Sequence, residues 1–474
     1  MEYRTEQDTL GEVKVPKGMY YGAQTQRAVE NFNVSSLRLQ PAFIRAQAII
    51  KRAAAMANMA SGRLEKTIGE ALVTAAEQVI SGEFFDQFVV DVFQAGAGTS
   101  QNMNMNEVLA NRAAEILGGN LGDYSHVHPN DHSNMSQSTN DTIHTAIHLA
   151  AYAEIQEQLL PAVTGLKEAL REKEMEFDGV IKSGRTHLQD AVPMRLGQEF
   201  SGYAAMMEHG RHCIERAADA FLDLCIGGTA VGTGLNTDPS YRENVIRHIN
   251  EATGYRFRPA ANMFEAMQNL DAVVEVAGAV RVLITSLSKI ADDLRLLSSG
   301  PLTGLAEIKL PAVQPGSSIM PGKVNPVLPE MLDMVCFHAL GCDTAILHSA
   351  QAGQLELNVM MPVVAYNLLL EIEILSGGMR SFTQKCVSGI TADAERCRHY
   401  AESSPALVTA LAPHIGYAKA AEIAKESLAT GKSIMHIAAS RKIMDPGQLE
   451  EILDIHSLTV DPEEKERNQK SKES

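Results

Sequence analysis

Tryptophan is absent, and the aromatic residues together make up only 5% of the 474 positions. So small an aromatic supply argues against a β-sandwich core or a platform for stacking bases. Basic residues are outnumbered: 41 Lys and Arg stand against 58 Asp and Glu, a net charge of −17. The chain therefore lacks the large basic face that nucleic acid or an anionic membrane surface requires. A small anionic substrate is not excluded, because it needs only a local positive pocket. Long hydrophobic runs are missing too. The most apolar stretch, Leu357–Leu369, is too short to span a bilayer and carries Pro362. Cysteine is sparse: Cys213, Cys225, Cys336, Cys342, Cys386 and Cys397 include no C-x-x-C pair. That spacing excludes a disulfide framework or a zinc ribbon and reads as thiols in a reducing compartment. The opening MEYRTEQDTL is polar from residue 2 and shows no secretory apolar region. A soluble cytoplasmic protein is expected.

What the chain does have is helix formers. Hydrophobic residues make up 45% and charged residues 21%, an ordinary globular balance. Residues 1–40 read as an extended segment punctuated by Pro16, Gly18 and Gly22. Ile44, Ala48, Ile49, Ala53 and Met56 then fall on one helical face, and further helices are predicted near 65–80 and after Gly96–Ser100. Residues 119–140 form a long polar stretch. Beyond it, helices are predicted near 142–175, 197–224, 240–253, 262–299, 327–350 and 357–388. The stripe from Met267 through Leu270, Val274, Ala277, Val280, Ile284, Leu287, Ile290 and Leu294 to Leu297 calls for a bundle of long rods. The division expected is an N-terminal, mainly helical domain (1–140), a central bundle (141–390) and a small C-terminal helical domain (391–474). Its terminal charge run, DPEEKERNQKSKES, reads as solvated and mobile.

Some motifs fall away on inspection. Gly316–Lys323 has five residues between its glycines and Val324 where a phosphate loop needs Ser or Thr. His126, His128 and His132 lie around Pro129, without the spacing of metal ligands, and no metal is expected. Four polar segments remain: Gly96–Asn106, His128–Asp141, Ser183–Asp190 and Gly316–Asn325. They are rich in Ser, Thr, Asn, His and Lys and poor in carboxylates. That inventory suits a substrate that brings its own negative charges, bound by hydroxyls, amides, backbone N–H groups and a lysine.

The segment Gly316-Ser317-Ser318-Ile319-Met320-Pro321-Gly322-Lys323-Val324-Asn325-Pro326 resembles the signature of the fumarase/aspartase superfamily. The other three polar segments match that family's motif regions, and the likeness runs from Tyr20-Tyr21-Gly22 to about Leu453. The resemblance implies an all-α, three-domain protomer whose central long helices form a homotetramer with shared active sites, and no cofactor. It implies elimination of H–X from a four-carbon dicarboxylate to give fumarate, through an aci-carboxylate. In that scheme Ser317 is the base, and Lys323 with backbone N–H groups near Ser318 and Gly322 stabilises its alkoxide. Lys323 and Asn325 bind the carboxylate that takes up charge. Thr99, Ser138, Thr139 and Asn140 hold the second carboxylate and the leaving group. Thr186 and His187 contact the leaving group, with Glu330 orienting His187. His128, Asn130 and Asp131 resemble a secondary dicarboxylate site. Ser317, Lys323 and His187 are all intact, which argues against a non-catalytic relative. For the leaving group, Gly96-Ala97-Gly98-Thr99-Ser100 and Ser138-Thr139-Asn140 lean to ammonia from L-aspartate. His128-Pro129-Asn130-Asp131, Gly227-Gly228-Thr229 and Pro321-Gly322-Lys323 lean to water from L-malate. Residues near the leaving group weigh more, so ammonia is placed ahead of water.

Overall fold

The computed structural model describes residues 2–460. The charge run from Asp461 onward, expected to be mobile, lies outside the described residues. Among them β-structure is limited to four two-stranded sheets, and helices account for the remaining regular structure, so the chain is all-α in class.

The helices start where local chemistry lets them. Pro41 opens the Pro41–Ala60 helix, at a position whose missing N–H costs nothing. Glu65 accepts from the N–H groups of Thr67 and Ile68 to begin Lys66–Ile80. Ser138 and Asp141 form a reciprocal capping box at the start of Thr139–Glu154. Val327–Ala350 matches its predicted range.

Three segments differ from expectation. Residues 1–40 are not simply extended: Tyr3–Asp8 and Gly11–Pro16 pair as an antiparallel hairpin, and Ala23–Asn31 is a helix. Buried Glu107 explains the ordering. Its carboxylate accepts from the N–H groups of Gly22, Gln24 and Thr25 and from the Thr25 hydroxyl, a long-range anchor that local periodicity does not report. The rod predicted over 262–299 is two helices, Met263–Gln268 and Asp271–Leu297. Asn269 breaks it with an extended backbone, its side chain accepting from Leu270 N and its carbonyl meeting His144 Nε2 at 2.9 Å. The helix predicted from 357 begins at Met361, because the Asn358 side chain caps Met360 N.

The chain divides into two compact units. One comprises the residues up to Ala162 with Gly210–Ile284 and Val335–Gly377; the other comprises Val163–His209, Thr285–Met334 and the residues from Gly378 on. In the first, Phe43, Ile50, Met105, Leu109, Ile143 and Ile147 are fully buried on three helices. Each such side chain contributes about 1.5–3 kcal/mol when removed from water. In the second, Leu411, Ile423, Ile434, Ile437 and Leu449 form a separate C-terminal core.

The first unit also buries His148, whose Nδ1–H donates to Asp223 O at 2.9 Å while Nε2 meets no partner. Burial, with His144 adding to it, pulls its pKa down to about 3. An unfolded histidine titrates near ~6.5, so between these values the folded chain binds fewer protons than the unfolded one. The stabilisation is complete above that window and is lost as the pH falls through it, by up to about 4–5 kcal/mol. The urea midpoint of His148→Phe should therefore fall less steeply with acidification than that of the wild type. Parallel slopes would contradict this account.

Candidate functional site

Two helix N-termini lie side by side in the first unit. One follows Gly96-Ala97-Gly98, three residues with left-handed backbone, and starts at Thr99. Gly98 is required twice over: its φ is +90°, and a Cβ there would lie 2.9 Å from the Ile143 side chain on the neighbouring helix. The other starts at Thr139, capped by Ser138. Asn102 bridges the two, donating from Nδ2 to Thr139 Oγ1 at 3.2 Å. Thr99, Ser138, Thr139 and Asn140 thus stand together where two helices present their positive ends, a setting suited to an anion. Thr99 is exposed, and its hydroxyl donates to Gly96 O.

Asn140 is oriented unambiguously. Its Nδ2 donates one hydrogen to Ala230 O at 2.8 Å, and a carbonyl can only accept, so the amide is fixed with Oδ1 as an acceptor and the second Nδ2 hydrogen left to a ligand. The Ala230 loop is held in turn by Asp141. One carboxylate oxygen accepts from Ser138 N at 2.8 Å, the other from Gly227 N and Thr229 N at 3.0 Å each. Asp141 is fully buried, and desolvation pushes its pKa up to about 7 against those hydrogen bonds. Lys51, also buried, is pulled down to about 7 by desolvation, with Asp141 opposing the shift. The Lys51 ammonium donates to Asn134 Oδ1 at 3.0 Å.

The second unit carries the remaining predicted residues. The polar stretch 182–193 is a β-hairpin, Ile181–Thr186 paired with Gln189–Arg195. His187 and Leu188 make its two-residue turn, both with positive φ (56° and 58°). Thr186 and His187 are exposed at this tip. A buried ion cluster fixes the stem: Arg185 grips Glu307 with two bonds of 2.9 Å, and Lys182 pairs with both Glu307 and Glu199.

The Gly316–Asn325 loop closes on itself. Gly316 N donates to Lys323 O at 2.8 Å, and Asn325 Nδ2 donates to Gly316 O at 2.6 Å. Asn325 is thereby tied to the loop stem through one amide hydrogen, and its second remains for a ligand. Ser317 Oγ accepts from Ile319 N at 3.2 Å and Met320 N at 3.0 Å. Two backbone donors converging on that oxygen favour negative charge there. They are the N–H groups of Ile319 and Met320, inside the stretch where Ser318 and Gly322 marked the expected donors. Ser318 and Lys323 are exposed. Glu330 lies in the first turn of Val327–Ala350, and among the described residues no hydrogen bond or ion pair joins it to His187.

His128, Asn130 and Asp131 form a tight turn in the first unit. His128 Nδ1 accepts from the N–H groups of Asn130 and Asp131, and the Asn130 and Asp131 side chains are exposed. Among the described residues no three His, Cys, Asp or Glu side chains are grouped to hold a metal.

Sequence reasoning placed Asn102, Asn134 and Asp141 inside candidate polar segments without singling them out, and it did not mark Lys51. Two signals were available. Ser138-x-x-Asp141 is a capping-box spacing, and Gln47, Lys51 and Asn58 form a polar stripe on the buried face of an otherwise apolar helix.

Comparisons with known proteins agree with this geometry. A family model described as "Lyase" matches residues 11–341, and one described as "Fumarase C C-terminus" matches residues 407–460. The aspartate ammonia-lyase of Bacillus subtilis (strain 168) is 48% identical over 458 residues, 97% of this chain and 96% of that protein. The class II fumarate hydratase of Nitrosomonas europaea is 49% identical over 426 residues, 90% of this chain and 92% of that protein. A solved fumarate lyase:delta crystallin from Brucella melitensis, bound to cobalt, superposes with a TM-score of 0.93 at 48% identity, covering 96% of this chain and 99% of that one. The chain belongs to the fumarase/aspartase family of lyases. Relatives with either leaving group are about equally similar, so overall identity does not choose between them.

Proposed function

We propose that this lyase releases ammonia from L-aspartate to give fumarate. The observation that supports the choice is the Asn140 amide, whose orientation, set by the Nδ2 bond to Ala230 O, leaves Oδ1 as an acceptor for the leaving group. An ammonium leaving group has only hydrogens to offer and needs acceptors. A departing hydroxide needs a general acid to protonate it, and neither end of an amide supplies one.

In the proposed reaction Ser317 Oγ takes the proton from C3, next to the C4 carboxylate. The electron pair passes into that carboxylate as the aci form, where Lys323 and Asn325 receive the charge. The pair then returns to form the double bond as the C2–N bond breaks, with Thr186 and His187 beside the departing nitrogen. Thr99, Ser138 and Thr139 hold the other carboxylate at the paired helix N-termini. The proposed assembly is a homotetramer in which sites are shared between protomers, with Glu330 of one chain orienting His187 of another. Exposed Met334 and Phe337, at 65% and 62% on the Val327–Ala350 helix, support association through that face.

The test measures fumarate by ultraviolet absorbance, with L-aspartate and L-malate supplied in parallel. Fumarate and ammonia from aspartate are expected. Fumarate from malate alone would assign water as the leaving group, the reading that the His128–Asp131 and Gly227–Thr229 motifs favour.

A further inference from the structure

Behind Thr139 lies a buried polar chain that the proposed reaction does not use directly. Lys51 is 3% exposed in the Pro41–Ala60 helix, and its Nζ donates to Asn134 Oδ1 at 3.0 Å. The same oxygen accepts from Asn102 Nδ2 and Asn106 Nδ2, each at 3.1 Å. Asn102 Nδ2 is shared with Thr139 Oγ1 at 3.2 Å, and Asn102 Oδ1 faces the Thr142 hydroxyl. Asn102 and Asn106 are buried.

The direction of these bonds is what matters. Lys51 Nζ donates to the Asn134 oxygen, and Asn134 Nδ2 donates away from it to Gln137 O at 3.2 Å, so the oxygen is the end that faces Lys51 and Asn102. That orientation requires a nitrogen from Asn102, and the same nitrogen then reaches Thr139 Oγ1. Thr139 is consequently an acceptor on its protein side. Among the described residues its own hydrogen meets no acceptor, and it remains available at the mouth of the paired helix N-termini. A reversed Asn102 amide would put Oδ1 against Thr139 and draw that hydrogen inward.

We propose that Lys51 is a positioning residue: acting through Asn134 and Asn102, it reserves the Thr139 hydroxyl hydrogen for a carboxylate oxygen of the substrate. The inference rests on the dicarboxylate reading of the site given above.

A double-mutant cycle on the full-length protein tests it, with succinate as the probe and calorimetry as the readout. Succinate carries both carboxylates and no leaving group, so the measurement is independent of the reaction. Lys51→Met and Thr139→Val should each weaken binding about tenfold, and the double variant should bind no more weakly than either alone. Lys51→Arg, which keeps a donor-only cation, should retain binding within about twofold. Should Lys51→Met fail to fold, Asn102→Asp supplies the cycle: it reverses the polarity at Thr139 with little change of shape and should show the same lack of additivity. Losses that multiply to about a hundredfold, or a Lys51→Met protein that binds like the wild type, would overturn the relay while leaving the dicarboxylate reading intact. A wild type that neither binds succinate nor forms fumarate from aspartate or malate would overturn that reading, and the relay with it.

Discussion

Ser317→Ala is expected to lower kcat by about a thousandfold or more while the KM for the dicarboxylate changes little. The expectation follows from what the loop does with that oxygen. Serine is a weak base because its alkoxide is costly to form near neutral pH. Here the N–H groups of Ile319 and Met320 both point at Oγ, at 3.2 Å and 3.0 Å, so part of the alkoxide's stabilisation is built in before substrate arrives. Alanine leaves those donors aimed at a void and removes the oxygen proposed to take the proton. The loop stem depends on Gly316, Lys323 and Asn325 instead, through bonds that do not involve the Ser317 side chain. Binding should therefore survive. Steady-state kinetics in the fumarate-forming direction would read both constants. A kcat within tenfold of the wild type would remove Ser317 from the role of base, and a large rise in KM would make it a binding residue.

Asp141→Ala carries the second large effect, and it falls on stability as well as on rate. Three backbone N–H groups, from Ser138, Gly227 and Thr229, end on this one buried carboxylate. Its removal leaves all three unsatisfied and takes from Lys51 a negative charge that favours its protonated form. Each orphaned donor costs about 1–3 kcal/mol. A loss of about 3–5 kcal/mol in urea unfolding is expected, beyond the range of most point substitutions. The same change unties the Ala230 loop from Asn140, so residual folded enzyme should turn over slowly. A stability loss under about 1 kcal/mol would show that the loop and the helix start are held by something other than this carboxylate.

Much of this was legible in the sequence because the features concerned are local. Helix periodicity over Val327–Ala350 located that element, and the glycines and polar residues of Gly316–Asn325 marked the loop. Thr99 and Ser138–Asn140 were expected as site residues from the resemblance, and they lie on adjoining helix starts. The features missed depend on partners far away in the chain. Glu107 orders residues 22–25 from more than eighty positions along, and the Asn269 break answers to His144 on another helix. Lys51 looked like an ordinary helix residue and Asp141 like the end of a polar stretch, since no local pattern shows that a lysine is buried or that a cap also holds a loop from residue 227 onward. Among the described residues Glu330 and His187 are not joined, so their proposed pairing rests on the resemblance alone.

The hairpin turn at His187 and Leu188 sets stability against the function proposed for His187. Neither residue is glycine, yet both hold left-handed backbone, a conformation that costs about 1 kcal/mol or more at each such position. A search for more robust variants by random substitution and heat selection would find glycine or asparagine at these two positions rewarding, because either residue relieves the torsion. At Leu188 that gain would be nearly silent, but at position 187 it would delete the imidazole. Libraries screened for thermal tolerance alone should therefore enrich inactive proteins through this single codon, whereas libraries screened for turnover should keep the strained histidine and relax its neighbour.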